Sequence, residues 1–256
     1  MIVQNIQPPL SEPAQCSADL QSKGFAVLSA KAVCELAGVN LHALQQLEPS
    51  WGDLPADQYL KDGGRYRRRR HASYKVSGQH VDAVAHRAHW QPVSYNALHG
   101  GMQRWFEPID PAVSTCVAWN ALLIFLAKVA SELSAPQTWY TEAHQFRIDT
   151  TDGIGRPTPE GAHRDGVSLV AVFLVGRHGI KGGETRVFEM SSTVGQRFTL
   201  SEPWSLMLLN DERVIHETTP IQPEGEAGWR DTLVITLRAN AFMDAPSNEN
   251  DDVILR

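Results

Sequence analysis

A chain of 256 residues with 42% hydrophobic content can bury one substantial core with a modest helical annex, so a single domain is expected over residues 1–256. The formal net charge of -6 gives nucleic acid or an anionic membrane no electrostatic hold as a main partner, and small-molecule chemistry fits better. Cys16, Cys34 and Cys116 are far apart, odd in number and form no C-x-x-C pair, which fits a reducing, cytoplasmic setting without a cysteine metal site.

The start, MIVQNIQPPLSEPAQ, has neither a basic beginning nor a continuous apolar run, so a secretory signal is not expected. The longest apolar stretch, Cys116 to Ala130, is interrupted by Asn120 and Lys128 and is too short to span a bilayer. From Lys31 to Glu48 the residues Val33, Leu36, Ala37, Leu41, Leu44 and Leu47 recur on roughly one helical face, which predicts a helix flanking the core. Gly63 and Gly64 then break any helix, and the arginines that follow lead into the alternating Ser73, Tyr74, Lys75 and Val76: a loop entering a strand. Asp110 and Pro111 read as the N-cap and first-turn proline of a helix running to about Leu133, stopped by Ser134, Ala135 and Pro136. This should be the main buried helix.

Beyond Pro136 the character changes. Short β-rich runs separated by Gly, Pro, Asp and Asn clusters succeed one another to about Phe242: TWYTEAHQFRID, VSLVAVFLVG, ETRVFEM, QRFTL, WSLMLLND, VIHETTPI and DTLVITLRAN. Strands at this spacing imply a sandwich or barrel, and a jelly roll is the version that leaves a pocket between its sheets. The expected architecture is therefore mainly β with flanking helices, a helical flank over about 1–135 and a β core over about 136–242. The tail, DAPSNENDDVILR, is polar and should be loosely ordered until its last few residues.

His163 and Asp165 are one residue apart, just before the apolar run Leu169 to Val175. In an extended chain residues i and i+2 point the same way, so imidazole and carboxylate converge while Arg164 points away. His216 follows fifty-one residues after Asp165, enough chain for about four short strands to return it to the pair. Two histidines and a carboxylate on one face of a metal leave its other positions open, the arrangement of non-haem Fe(II) oxygenases. Taken singly, an H-x-D tripeptide arises by chance and a lone strand histidine is more often a satisfied residue. A second constraint comes fourteen residues after His216, where Arg230 begins a strand with Thr232 on the same side.

H-x-D, a distant His and an Arg-x-Ser/Thr resemble the 2-oxoglutarate/Fe(II)-dependent oxygenase superfamily, whose fold is the double-stranded β-helix, or cupin-like jelly roll. More narrowly, EGAHRDGVSLVAVFLV, KGGETRVFEM, LNDERVIHETTPI and GWRDTLVITLR are similar to the bacterial 2OG-Fe dioxygenase family that includes the L-isoleucine hydroxylase. The resemblance is densest from Pro159 to Arg238 and thinner over DGGRYRRRRHASYKV and EAHQFRID. It implies Fe(II) on His163, Asp165 and His216, with 2-oxoglutarate as cosubstrate, O2 as oxidant and Arg230 on the distal carboxylate of 2-oxoglutarate. A planar guanidinium fork suits two parallel bonds to a carboxylate. Thr232 would add a hydroxyl to the same group. It also implies hydroxylation of a small molecule, with a free aliphatic L-amino acid, isoleucine-like, as first candidate. The bland reading of Arg230 is an interstrand salt bridge, with Asp231 for instance.

RYRRRR is more simply a strand edge paired with acids than a nucleic-acid contact, yet alternation turns one or two arginines toward the pocket, and Arg68 is carried as a candidate substrate contact. In EAHQFRID, His144, Phe146 and Ile148 share one side and Gln145 and Arg147 the other; the polar pair is carried as candidate pocket residues. Gly182, Gly183 and Glu184 read as a tight turn into a strand, and Trp204 as core packing. Two alternatives stay open: a cupin-type metalloenzyme with no use for Arg230, and a nucleic-acid-binding module using the arginine run.

Overall fold

Strand formation follows the alternation and the apolar runs, and it assembles two facing sheets in the computed structural model, which describes residues 7–135, 138–192 and 195–246. The strands are β1 Phe25–Leu28, β2 Arg67–Ser77, β3 His80–Ala83, β4 Trp139–Asp149, β5 Leu169–His178, β6 Ile180–Gly182, β7 Thr185–Glu189, β8 Gly195–Phe198, β9 Leu206–Asn210, β10 Val214–Thr218, β11 Ile221–Pro223 and β12 Trp229–Ala239. The large sheet has the order β1-β9-β5-β12-β4-β2-β3, and the opposite side is built from β10-β7-β8 and β11-β6. Every paired strand runs antiparallel to its neighbour. This is the expected jelly roll, mainly β with flanking helices. The first 135 residues are less helical than expected, because they contribute β1, β2 and β3 to the large sheet.

Helices α1 Cys16–Lys23, α2 Ala30–Ala37, α3 Leu41–Gln45, α4 Pro111–Ser114 and α5 Val117–Leu133 complete the order. One core lies between the helices and the outer face of the large sheet, where Trp119, Leu122 and Leu126 of α5 join Ala171, Phe173, Leu233 and Ile235. A second lies between the sheets, with Val170, Val172 and Leu174 against Val187, Phe198 and Val214. Strand β5 is therefore covered on both faces, which is why its sequence is a continuous apolar run rather than an alternation. Each fully buried Leu or Phe in these layers contributes roughly 1.5–3 kcal/mol.

Two expected helices are broken. Between Lys31 and Glu48, Gly38 ends α2 in the left-handed region at φ 67°, and Asn40 caps a new helix by accepting from Ala43 N at 2.8 Å. The broken register leaves Leu41 40% exposed while Val33, Leu44 and Leu47 stay buried. Asp110 does cap its helix, accepting from Ala112 N at 2.8 Å, but α4 is one turn long and Cys116 adopts extended backbone before α5 begins. Pro136, residues 1–6 and the polar tail from 247 lie outside the described residues. No described helix is long and apolar enough to cross a membrane. Trp204 is fully buried, edge-on to Trp51 with ring centroids 6.4 Å apart, and its indole N–H donates to Glu48 Oε1 at 2.9 Å. Gly182 and Gly183 make the tight turn into β7, both at positive φ.

Candidate active site

The cavity between the sheets is walled by the inward residues of β2, β4 and β12. Rows run across the sheet by register: Arg67, Ile148 and Arg230; Arg69, Phe146 and Thr232; and His144 with Val234, behind which His71 is paired to His144. At its rim stand His163, Asp165 and His216, whose ligand atoms all lie within 4.8 Å of one another. The His163 and His216 rings have centroids 4.6 Å apart, and His216 Nε2 is 3.9 Å from Asp165 Oδ2.

His216 comes from β10, while His163 is bound to it by a pair of backbone bonds, each N–H donating to the other's carbonyl at 3.0 Å. Five strands, not four, separate Asp165 from His216. The expected strand alternation is not what converges the pair, because residues 161–168 precede β5 as irregular chain. Asp211 does that work: its buried carboxylate accepts from the backbone N–H groups of Asp165, Gly166 and Val167 at 3.1, 2.7 and 3.1 Å. Gly166 supplies the left-handed turn at φ 77°. Arg164 does point away, donating to Asp211 O.

The donor set fits a first-row cation. Metal–ligand bonds of about 2.0–2.2 Å place neighbouring donors roughly 3–4 Å apart, close to the spacing here. His163 Nδ1 lies 3.0 Å from Gly161 O, which fixes the proton there and leaves Nε2 as the free lone pair. His216 Nδ1 is buried without a partner, and burial, reinforced by His163, holds this ring well below the ordinary histidine value, so it stands neutral as a ligand must. Burial pulls His163 down, but the carboxylates of Asp165 and Glu160 outweigh it and leave the ring above its ordinary value. A cation held there would take the place of that proton.

Arg230 lies in the same cavity, 4% exposed, with its Nε lacking any hydrogen-bond partner. The salt bridge to Asp231 weighed from the sequence does not form. Asp231 faces the outer side and accepts from Arg147 at 2.8 and 2.6 Å. Burial brings Arg230 down to about 10, Arg177 pushes the same way and Asp231 offsets part of it. Thr232 stands beside Arg230 on the cavity wall.

The three candidate substrate residues are placed differently. Gln145 and Arg147 are on the outer face of β4, where Gln145 Nε2 donates to Ser50 Oγ at 2.7 Å, and the cavity face belongs to His144, Phe146 and Ile148. Arg68 is also outward, 3.5 Å from Asp149, while Arg67 and Arg69 face in. The run is no continuous basic surface: Arg65, Arg68 and Arg70 lie within 4 Å of Asp152, Asp149 and Asp53, and Arg67 and Arg69 both lie within 4 Å of Asp57.

Sequence reasoning missed the supporting residues from the loop after β3. Gln91 donates to Asp165 Oδ1 at 3.3 Å and accepts from Arg104 at 2.9 Å. It also missed a cluster of His71, His89, Glu142 and His144, whose donor atoms are close enough to suggest a second metal. Those atoms are already engaged: Arg87 donates to Glu142 at 2.9 Å, His89 contacts Glu142 at 3.0 Å, and Arg69 sits 2.8 Å from His144 Nδ1. Guanidiniums at these distances repel a cation, so the cluster is a hydrogen-bonded network. Only the pairing of β2 with β4 reveals it, since His71 and His144 are distant in sequence and opposed in register.

The family model for 2OG-Fe dioxygenases matches residues 48–236. No curated protein matches the chain significantly. Among solved structures, a bsmA homolog from Methylobium petroleophilum PM1 is 48% identical, covering 93% of this chain and 98% of its own, with a TM-score of 0.88. IDO from Bacillus thuringiensis is 17% identical over 91% of this chain and 100% of its own, with a TM-score of 0.73. The Fe(II)/α-ketoglutarate-dependent dioxygenase TqaL is 17% identical over 88% of this chain and 86% of its own, with a TM-score of 0.66. At that identity the last two are alike in fold alone.

Proposed function

The chain belongs to the 2OG-Fe dioxygenase family, and from that premise we propose that it hydroxylates a free L-amino acid with an aliphatic, isoleucine-like side chain. It is a 2-oxoglutarate-dependent dioxygenase that uses Fe(II), 2-oxoglutarate and O2. In our reading His163, Asp165 and His216 hold the iron, and Arg230 with Thr232 binds the far carboxylate of 2-oxoglutarate. Bound iron supplies the oxidising chemistry, coupling conversion of 2-oxoglutarate and O2 to succinate and CO2 with insertion of the second oxygen atom into a C–H bond.

The observation that carries the cosubstrate assignment is the buried guanidinium of Arg230, which has no carboxylate partner among the described residues and shares a cavity with the two histidines and Asp165. A buried cation is strongly unfavourable without a counter-ion, and a dicarboxylate reaching in from the metal provides one. A cupin-type enzyme that does not use 2-oxoglutarate has no need of it. The rest of the chain's part is orientation and exclusion. Phe146, Ile148, Val172, Met207 and Val234 give the cavity an apolar wall, which supports an aliphatic substrate and keeps bulk water from the reacting carbon. Cys16, Cys34 and Cys116 are all free, which supports a reducing, cytoplasmic setting.

The test is succinate release from 2-oxoglutarate with a panel of L-amino acids, with and without Fe(II). The expected result is iron-dependent succinate that rises with an aliphatic amino acid, matched by a product one oxygen heavier. Succinate that no amino acid stimulates removes the substrate class. No succinate under any iron-loaded condition removes the proposed assignment of the cosubstrate site.

A further inference from the structure

Three buried guanidiniums besides Arg230 reach the same cavity, while a fourth, Arg238, is only partly buried there. Arg67, Arg69 and Arg104 are 6%, 4% and 2% exposed, and each keeps a buried nitrogen with no hydrogen-bond partner: Nη2 of Arg67, and Nε of both Arg69 and Arg104. Their acidic neighbours are Asp57, Glu142 and, acting on Arg104 through space, Glu160. Asp57 takes Arg67 at 2.7 Å and lies 3.9 Å from Arg69, too far for an ordinary hydrogen bond. Glu142 is shared by Arg87, His71 and His89. What Arg69 and Arg104 touch instead is neutral: Arg69 Nη2 is on His144 Nδ1 at 2.8 Å, and Arg104 Nη2 donates to Gln91 Oε1 at 2.9 Å. Among the described residues neither has a carboxylate at hydrogen-bond distance.

We propose that these arginines form a second anion subsite, distinct from Arg230, which binds a carboxylate of the primary substrate with Arg69 as principal donor. The proposal rests on the oxygenase reading and deepens it. Arg69 is fixed in orientation, with its guanidinium carbon 3.7 Å from the centroid of Phe106 and 4.4 Å from that of Phe146. Two aromatic rings at these distances hold the fork by cation–π contact and leave Nε without a protein partner for a ligand. Burial holds Arg69 well below the ordinary arginine range; Asp57 offsets part of this, while Arg67 and Arg104 add to it, so an incoming anion is favoured by all three.

The two anion holders do not share one carboxylate. Arg69 is on β2 and Arg230 on β12, with β4 between them. Strands spaced by 4.7–4.9 Å put their backbones roughly 10 Å apart. Phe146 stands between Arg69 and Thr232 in the register. Gln91 bridges the subsite to the metal group by donating to Asp165 and accepting from Arg104. A substrate anchored by its carboxylate here sets its aliphatic part against the apolar wall, with the reacting carbon a short chain away from the anchor.

Calorimetry tests this on protein loaded with Mn(II) and 2-oxoglutarate, which binds ligands without turning over. The probes are L-isoleucine, L-isoleucinamide and 3-methylpentanoate, and 2-oxoglutarate itself is titrated separately. A carboxylate probe should bind, and the amide should be weaker by roughly thirtyfold or more, the loss expected when a buried charge pair lacks one partner. Arg69→Met should weaken the acid comparably and leave 2-oxoglutarate binding unchanged. Equal binding of acid and amide, or no binding by any carboxylate probe, overturns the subsite. Binding of 3-methylpentanoate without L-isoleucine keeps the subsite and removes the amino-acid reading. Loss of 2-oxoglutarate affinity in Arg69→Met, with normal affinity in Arg230→Ala, overturns both arginine assignments. The acid and amide comparison uses the unaltered protein, so it decides the matter even where the variant fails to fold.

Discussion

Replacing Arg230 by Ala should weaken 2-oxoglutarate binding between about a hundredfold and several thousandfold, because removing one side of a buried ion pair costs roughly 3–5 kcal/mol. The upper part of that range applies, since the guanidinium is only 4% exposed and solvent cannot stand in for it. The ligand-free protein should respond in the opposite sense. There Arg230 is a buried cation with an unpartnered Nε, pulled down to about 10 chiefly by its burial. Removing it relieves a desolvated charge while losing the packing of its stem beside Gly183. The thermal midpoint without cosubstrate should therefore hold or rise, and the increase that 2-oxoglutarate gives the unaltered protein should disappear. Metal affinity should hardly change, because Arg230 touches none of the three metal-site residues. The assay is a 2-oxoglutarate titration at saturating Fe(II), read as succinate, alongside melting curves of the Mn(II)-loaded protein. An unchanged half-saturation concentration would refute the assignment.

Four further outcomes follow from the same geometry. Asp211→Ala should lower metal affinity by about 10–100-fold, as loss of an orienting partner does, because three backbone N–H groups lose their acceptor and Asp165 loses its position; a metal titration with unchanged affinity would sink this. Arg68→Ala should shift the urea midpoint by less than the equivalent of about 1 kcal/mol, since its contact with Asp149 is long and its side chain 44% exposed, and should leave cosubstrate affinity intact. Gly182→Ala should cost about 1–3 kcal/mol, as its φ is 82° and the new Cβ would lie 2.3 Å from Pro220 O; a stable variant would mean the turn relaxes freely. Burial pushes His71, His89 and His144 below the ordinary histidine value, His89 to about 4, so the unfolded chain binds protons between about pH 4 and 6.5 that the folded chain refuses. Stability should thus rise with pH across that window, by about 3 kcal/mol for His89 alone, and a urea midpoint flat from pH 7 to 4.5 would contradict it.

That His163, Asp165 and His216 would come together was legible because metal-ligand chemistry admits few residue types, whereas the local geometry that gathers them was not. H-x-D suggested a strand, but His163 is held by bridging to His216 and Asp165 by the turn that Asp211 gathers. No pairwise spacing contains Asp211, forty-six residues from Asp165. The alternation of β2 and β4 was legible as well, yet which parity faces the cavity was not, because that depends on what covers the other face. Helices and the segment around Trp51 cover the outer side, so Gln145 meets Ser50 there and Arg147 meets Asp231. The helix break at Gly38 is a local signal masked by the longer apolar period around it, whereas the break at Cys116 has no Gly or Pro to mark it between the first-turn Pro111 and the stop at Ser134.

The arginine run shows most clearly what register adds to composition. In sequence RYRRRR is one block of positive charge, and a block suggests one role, such as a polyanion. Paired to β4, it divides by parity. Arg68 and Arg70 turn outward, each within 4 Å of an aspartate that offsets its charge. Arg67 and Arg69 turn inward, into a cavity that Arg104 and Arg230 also enter. Four buried guanidiniums surround one cavity, and although Asp57, Glu142, Glu160 and Asp165 are near it, Arg69, Arg104 and Arg230 have no carboxylate at hydrogen-bond distance among the described residues. A protein with a net charge of -6 thus buries three guanidiniums in this cavity without a directly bonded carboxylate, which argues that their anions belong to the cosubstrate and the substrate rather than to the fold.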